Sequence, residues 1–389
     1  MKKFLNLSVM VFLSCVFLLS SPLNVFGSET AESGLRQVEQ YNFSIHILAM
    51  LLVGFGFLMV FVRNYGFSAT TGTFIIVATG IPLYLLIRST GIISSESIPA
   101  DSIEAILFAE FACAAALIAM GAVLGRIRLY QYGIVAIIAV LAYTLNEWLV
   151  LDGGLGVTKG FTDSAGSVVI HAFGAYFGLG LAIALRNNED QKAVIESDST
   201  SDRFSMLGSM ILWIFWPSFC SAIVPSEDMP KTVVNTILAL CGATVVTYIM
   251  SAILRKGKVS VADIANASLA GGVAIGASCN RVGVFGAFII GALAGLICTV
   301  GYNIIQPRMQ KALKTVDTCG VHNLHGMPGL FGGLVAIIAI PGIVASAQLA
   351  GIIFTVVLAI VSGVTGGYII KLTGKKVLLY EDKEEFHVE

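Results

Sequence analysis

The sequence predicts an all-α polytopic membrane protein with eleven transmembrane helices, and three observations carry that prediction. Of 389 residues, 56% are hydrophobic and only 12% are charged, and the mean hydropathy is +0.87, well beyond a soluble domain. The apolar residues fall in long runs, each close to the roughly 20 residues that a bilayer core requires. The runs do not alternate apolar and polar, so barrel strands are excluded and helices remain as the spanning form.

The chain opens with Lys2 and Lys3, an apolar core, and Val25, Phe26 and Gly27 ahead of polar Ser28. That pattern predicts a signal peptide over 1–27, cleaved after Gly27, with a retained extra helix as the competing reading. An extracytoplasmic segment over 28–41 follows. The transmembrane domain over 42–372 contains eleven apolar segments, at 42–62, 69–88, 103–125, 129–150, 164–186, 203–224, 231–254, 261–280, 282–305, 321–341 and 346–371. A tail over 373–389 closes the chain. Arg63, Arg126, Arg128, Arg255, Lys256, Lys258, Arg308, Lys311 and Lys314 fall in one set of loops, against Arg36, Arg88, Lys159, Lys231 and Arg281 in the other. The basic excess places the processed N-terminus outside and the tail in the cytoplasm of a cell-membrane protein. The seven cysteines stand singly, with neither zinc spacing nor a disulfide framework. A net charge of −1 gives no case for nucleic acid as a partner.

Two matched motifs organise the chain. DSAGSVVIH sets Asp163 eight residues before His171, and DTCGVHNLH sets Asp317 eight residues before His325. They open the fifth and tenth spans, which run in opposite directions, as an inverted five-plus-five repeat with one appended helix requires. Eight helical residues at 1.5 Å each carry either imidazole about 12 Å deep, near the middle of a core about 30 Å thick. Ionisable groups at that depth mark a substrate or proton path by default; the competing explanation is a histidine that hydrogen-bonds neighbouring helices. Two histidines without a third convergent ligand do not make a metal site, so no metal or other cofactor is expected. For Asp163 and Asp317 two roles stand, capping a helix start and taking part in ion recognition. His322 is read as a packing residue, His46 as facing a polar outer surface, and His387 carries no argument.

DTCGVHNLHGMPG, SVVIHAFGAYFGL, FWPSFCSAI, NASLAGGVA and VGFGFLMVFVRNYGFSA together resemble the Rh (Rhesus) glycoprotein branch of the ammonium transporter, methylammonium permease and Rh superfamily, a likeness that covers nearly everything from about Tyr41 to Lys371, in order. The short tail and compact loops resemble a prokaryotic member more than a eukaryotic one. The resemblance implies a homotrimer, with one narrow pore in each eleven-helix protomer. It implies that His171 and His325 are the twin pore histidines and that Phe111 and Phe219 are the stacked pair closing the outer mouth. It puts the family's pore aspartate at Asp163, the symmetry mate at Asp317, and an acidic outer-vestibule position at Glu147. Asn266 matches a polar position of the family.

The implied function is an ammonia channel that recruits ammonium, deprotonates it and conducts neutral ammonia. Rival functions are a carbon dioxide channel and, from another class, an ammonium sensor acting on a cytoplasmic partner. An enzyme is not expected, because neither a nucleophile with an adjacent base nor an HExxH or GxSxG motif is present. A cytoplasmic regulator docking on the tail and a simply solvated tail both remain open.

Overall fold

The computed structural model describes residues 31–94, 97–187 and 193–387. The expected signal peptide over 1–27 lies outside the described residues. The chain divides into two units, residues 1–39 and 40–389. In the first, the described residues are helical, with Arg36 and Glu39 4.0 Å apart one turn along.

All regular structure among the described residues is helical. In order the helices are α1 (Ala31–Ala49), α2 (Gly66–Thr90), α3 (Ile103–Val123), α4 (Gln131–Val150), α5 (Phe173–Ala184), α6 (Ser199–Ser221), α7 (Met229–Leu254), α8 (Val261–Ala267), α9 (Ala270–Ile275), α10 (Val284–Val300), α11 (Gln306–Leu313), α12 (Met327–Ala339) and α13 (Ala345–Thr373). Nine helical segments among the described residues are long and apolar enough to cross a membrane. The other two expected spans are the broken pair α8 and α9, and α12 with the turn that precedes it.

Several boundaries depart from the sequence expectations. Among the described residues helix α1 already includes the polar stretch AESGLRQVEQ, which is rich in good helix formers, ahead of the first apolar run. The span expected at 261–280 is not one helix: α8 ends at Ala267, α9 ends at Ile275, and turns occupy the rest. The segment packs closely on α7, where a Cβ on Gly271 would lie 2.1 Å from the carbonyl oxygen of Ala239. The span expected at 282–305 runs on through a π turn at Gly301–Ile305 into α11, a polar extension with no buried residue. Gly291 lets α10 lie directly on α7, its absent Cβ position being 1.9 Å from the same Ala239 carbonyl.

The tail is folded back. Asp382 accepts hydrogen bonds from the backbone N–H groups of Phe67 and Ser68 at 3.0 and 2.7 Å, capping the start of α2. Tyr380 N–H donates to the carbonyl of Gly125 at 3.0 Å, and the Lys376 ammonium sits 5.1 Å above the Tyr65 ring. These contacts hold the tail on the loops that follow α1 and α3, on the face opposite the one where α3 begins.

Candidate functional site

The two Asp-to-His motifs fold alike. Asp163 Oδ2 accepts from the backbone N–H groups of Val168 and Val169, each at 2.8 Å. Asp317 accepts from those of Val321 and His322, each at 3.0 Å. Three residues after each acid a glycine takes the left-handed region, Gly166 at φ 78° and Gly320 at φ 68°, which costs glycine nothing. Each glycine turns the chain so that the following N–H groups point back at the carboxylate. The acids therefore cap helix starts, and the path from acid to imidazole is a turn followed by about one helical turn. The 12 Å of helical rise expected from the sequence overstates it, because the chain is not helical before Ser167.

Each histidine then stands next to last in a π turn, His171 in Ser167–Ala172 and His325 in His322–Gly326. A π turn inserts an extra residue into the helix and recurs at functional sites. Here the wider turn sets which way each imidazole points. Ser167 fixes the first turn to the break after α9: its Oγ donates to the Val273 carbonyl at 2.6 Å and accepts from Ala277 N–H at 2.7 Å.

The structure brings the two imidazoles together. Nδ1 of His325 lies 3.2 Å from Nδ1 of His171, with the rings 15° from parallel. One nitrogen must donate and the other accept, so the rings hold complementary tautomers. They are 3% and 4% exposed, and Nε2 of His171 is buried without a protein partner. Trp216 stacks on His171 at 5.6 Å, Phe219 stands 5.8 Å from it, and Phe55 stacks on His325 at 6.1 Å. Phe111 meets Phe219 edge to face at 4.8 Å and 72°, a favourable aromatic geometry. On the far side of His325 lies an apolar cavity bounded by Phe55, Leu58, Leu117, Ile118, Gly121 and Leu324, with Asn266 in its wall. In sequence along this line come the phenylalanine pair, two imidazoles and a cavity, walled almost wholly by carbon.

The remaining residues sort differently. Glu147 is 5% exposed and accepts from the Tyr84 hydroxyl at 2.7 Å, with the Arg88 guanidinium 3.9 Å away. Arg88 lies equally close to Asp152. Glu147 is thus a buried acid with a hydroxyl donor and a counter-charge. Asn266 spends its Nδ2 on the Ala262 carbonyl at 2.9 Å. His322 meets Tyr176 edge to face at 5.7 Å. His46 is half-buried, with its Nδ1 2.9 Å from Ser218 Oγ and its ring stacked on Phe215 at 4.8 Å. Trp216, Phe55 and Glu110 escaped sequence reasoning. A buried carboxyl inside AEFACAAAL was the available signal for Glu110; nothing in the local pattern marked the two aromatics.

A model of the Ammonium Transporter Family matches residues 8–388. Ammonium transporter Rh type B of Xenopus tropicalis is 40% identical over 312 residues, covering 79% of this chain but 66% of that protein's length. Ammonium transporter Rh type C of Rattus norvegicus is 36% identical over 356 residues, 83% of this chain and 71% of that protein. Among solved structures, Nitrosomonas europaea Rh50 superposes with a TM-score of 0.90 at 62% identity, covering 92% of this chain and 94% of that one. A sensor Amt protein superposes at 0.78 with 20% identity over 90% of this chain and 96% of that one, a likeness of fold alone.

Proposed function

This chain belongs to the ammonium transporter family, in its Rh branch, and on that footing we propose that it is an ammonia channel: ammonium gives up a proton near the Phe111–Phe219 pair, and neutral ammonia crosses past His171 and His325. The observation that carries this reading is the buried imidazole pair, joined Nδ1 to Nδ1 between that aromatic pair and the apolar cavity.

The physical argument is one of competing costs. A bare cation brought into hydrocarbon meets an idealised desolvation cost on the order of 20 kcal/mol. An amine cation titrating two to three units above neutral loses its proton at pH 7 for roughly 3 to 4 kcal/mol, at 1.36 kcal/mol per unit. A wall of Phe111, Phe219, Phe55 and aliphatic groups therefore passes ammonia and rejects potassium, which has no proton to shed. Ammonia leaving water loses its hydrogen bonds. The unpartnered His171 Nε2 supplies a replacement without a net charge, while the two Nδ1 atoms stay bonded to each other and hold the rings in place.

In this reading the basic loops and the tail face the cytoplasm, the phenylalanine pair faces outward, and three protomers assemble in the cell membrane, each with its own conduit. The same apolar wall has nothing that would turn back carbon dioxide, which makes that gas the second substrate to measure. The test is stopped-flow alkalinisation of proteoliposomes. Replacing both histidines, H171L with H325L, is expected to abolish the protein-dependent rate for ammonia; an unchanged rate would remove the imidazoles from the mechanism.

A further inference from the structure

Six carboxyl side chains among the described residues are buried: Glu110, Glu147, Asp163, Asp263, Asp317 and Asp382. Five of them meet backbone N–H groups or a guanidinium. Asp163, Asp317 and Asp382 cap helix starts, Glu147 faces Arg88, and Asp263 binds Arg255 through both oxygens. Glu110 differs. It is 0% exposed, its Oε1 accepts a single hydroxyl bond from Ser44 Oγ at 2.7 Å, and its Oε2 is buried with no partner. A carboxylate buried with one hydroxyl donor and no cation is costly, and such groups inside a membrane protein mark ion or proton paths.

Its position gives that cost a purpose. Glu110 precedes Phe111 on α3, so the two lie within about 1.5 Å of the same depth. Leu117, Ile118 and Gly121, seven, eight and eleven residues further along α3, line the cavity beside His325, a spacing that sets Glu110 on the same helical face. Ser44 stands on α1, whose continuation contributes Phe55 and Leu58 to that cavity. The carboxyl therefore sits on the seam of the two helices that wall the conduction side, at the level of the phenylalanine pair.

We propose that Glu110 is the proton acceptor for ammonium arriving at the Phe111–Phe219 pair, a deepening that rests on the ammonia-channel reading above. One N–H bond of ammonium breaks with its electron pair remaining on nitrogen, and an O–H bond forms at Oε2. Cation and carboxylate lose their charges together, leaving ammonia and a neutral acid, both cheaper to hold in a low dielectric than the ions were. The Ser44 hydroxyl goes on donating to Oε1 throughout. The proton later returns to water and Oε2 is bare again. Titratable groups on the elements packed against α3 are engaged elsewhere: Tyr84 and Arg88 of α2 with Glu147 of α4, His171 with His325, and His46 of α1 with Ser218. Tyr143 of α4 packs on Phe173, and Cys113 is the titratable neighbour of Glu110 on α3 itself.

The test is the pH dependence of ammonia entry into proteoliposomes at fixed total ammonium, as the ratio of initial rates at pH 8 and pH 6. A channel that accepts ammonium directly has a ratio well below the change in dissolved ammonia. Glu110→Gln keeps the size and the Ser44 bond but cannot take a proton, so its ratio is expected to climb toward about 100-fold, tenfold per pH unit. Glu110→Asp, which keeps an acid, is expected to stay near the parent ratio. Should the Gln variant fail to fold, Ser44→Ala removes the donor that favours the carboxylate, and its ratio is expected to rise above the parent's. A parent-like ratio in Glu110→Gln or in Ser44→Ala overturns the assignment. If the parent protein itself gives no protein-dependent ammonia entry, the channel reading has failed, whatever the Glu110 variants do.

Discussion

Asp163 offers a clean separation between holding the backbone and attracting a cation. Its Oδ2 takes two buried N–H groups at 2.8 Å, and those groups begin the π turn that aims His171. Asp163→Ala leaves both donors without an acceptor. At about 1 to 3 kcal/mol for each unsatisfied buried group, the variant is expected to lose about 2 to 6 kcal/mol, and His171 loses its footing with it. Asp163→Asn keeps an acceptor oxygen in place, and asparagine ranks with aspartate as a helix cap. What goes is the charge assistance, which roughly doubles such bonds, so the expected loss is nearer 1 to 2 kcal/mol across the pair. The assay pairs thermal unfolding in detergent with stopped-flow ammonia entry. The expected order in stability is parent, Asn, Ala, with flux following it. An Ala variant that melts with the parent would refute the capping argument. An Asn variant with the parent's melting temperature and no flux would show instead that the negative charge itself is needed for conduction.

Two further outcomes follow from other pairings. Arg88→Met strands Glu147 with only the Tyr84 hydroxyl and is expected to cost about 3 to 5 kcal/mol, whereas the double variant Arg88→Met with Glu147→Gln regains much of it; additive losses in that thermal double-mutant cycle would count against the pairing. In the tail, burial pushes the Glu384 carboxyl upward, but Val377 and Leu378 N–H groups and the Lys376 and Arg128 cations outweigh it and hold it below its ordinary value. A depressed folded value means the contribution is present above the ordinary carboxylate range, about pH 4.3, and is lost as pH falls through the lower folded value. Protection of the Leu378 amide from hydrogen exchange, taken relative to an unstructured amide at the same pH, should therefore be high at neutral pH and fall in acid, and Glu384→Gln should flatten that pH response; a loss of protection undiminished in the variant would assign it to another group.

Much of the architecture was legible in the chain because its signals are local. Long apolar runs report spans whatever their neighbours, and α2, α4, α7 and α13 begin and end within a few residues of the expected limits. The broken span did not declare itself: residues 261–280 are apolar enough to read as one helix, and only the structure shows turns at 268–269 and 276–280 and a close approach of Gly271 to the α7 backbone. Polar roles were harder still. The counter-charge of Glu147, Arg88, lies on another helix and is invisible to a pattern read along one. Glu110 was passed over because its partner Ser44 lies 66 residues away.

The amino-acid order alone determined the class, the number of crossings and the existence of two related acid-to-imidazole segments, since composition and spacing along one strand of chain suffice for these. Only the tertiary structure decided that a left-handed glycine and a π turn stand between each acid and its imidazole, that the rings meet nitrogen to nitrogen, and which buried charge has a counterpart. Those outcomes depend on the distance between side chains of different helices, and a periodic pattern describes just one helix at a time.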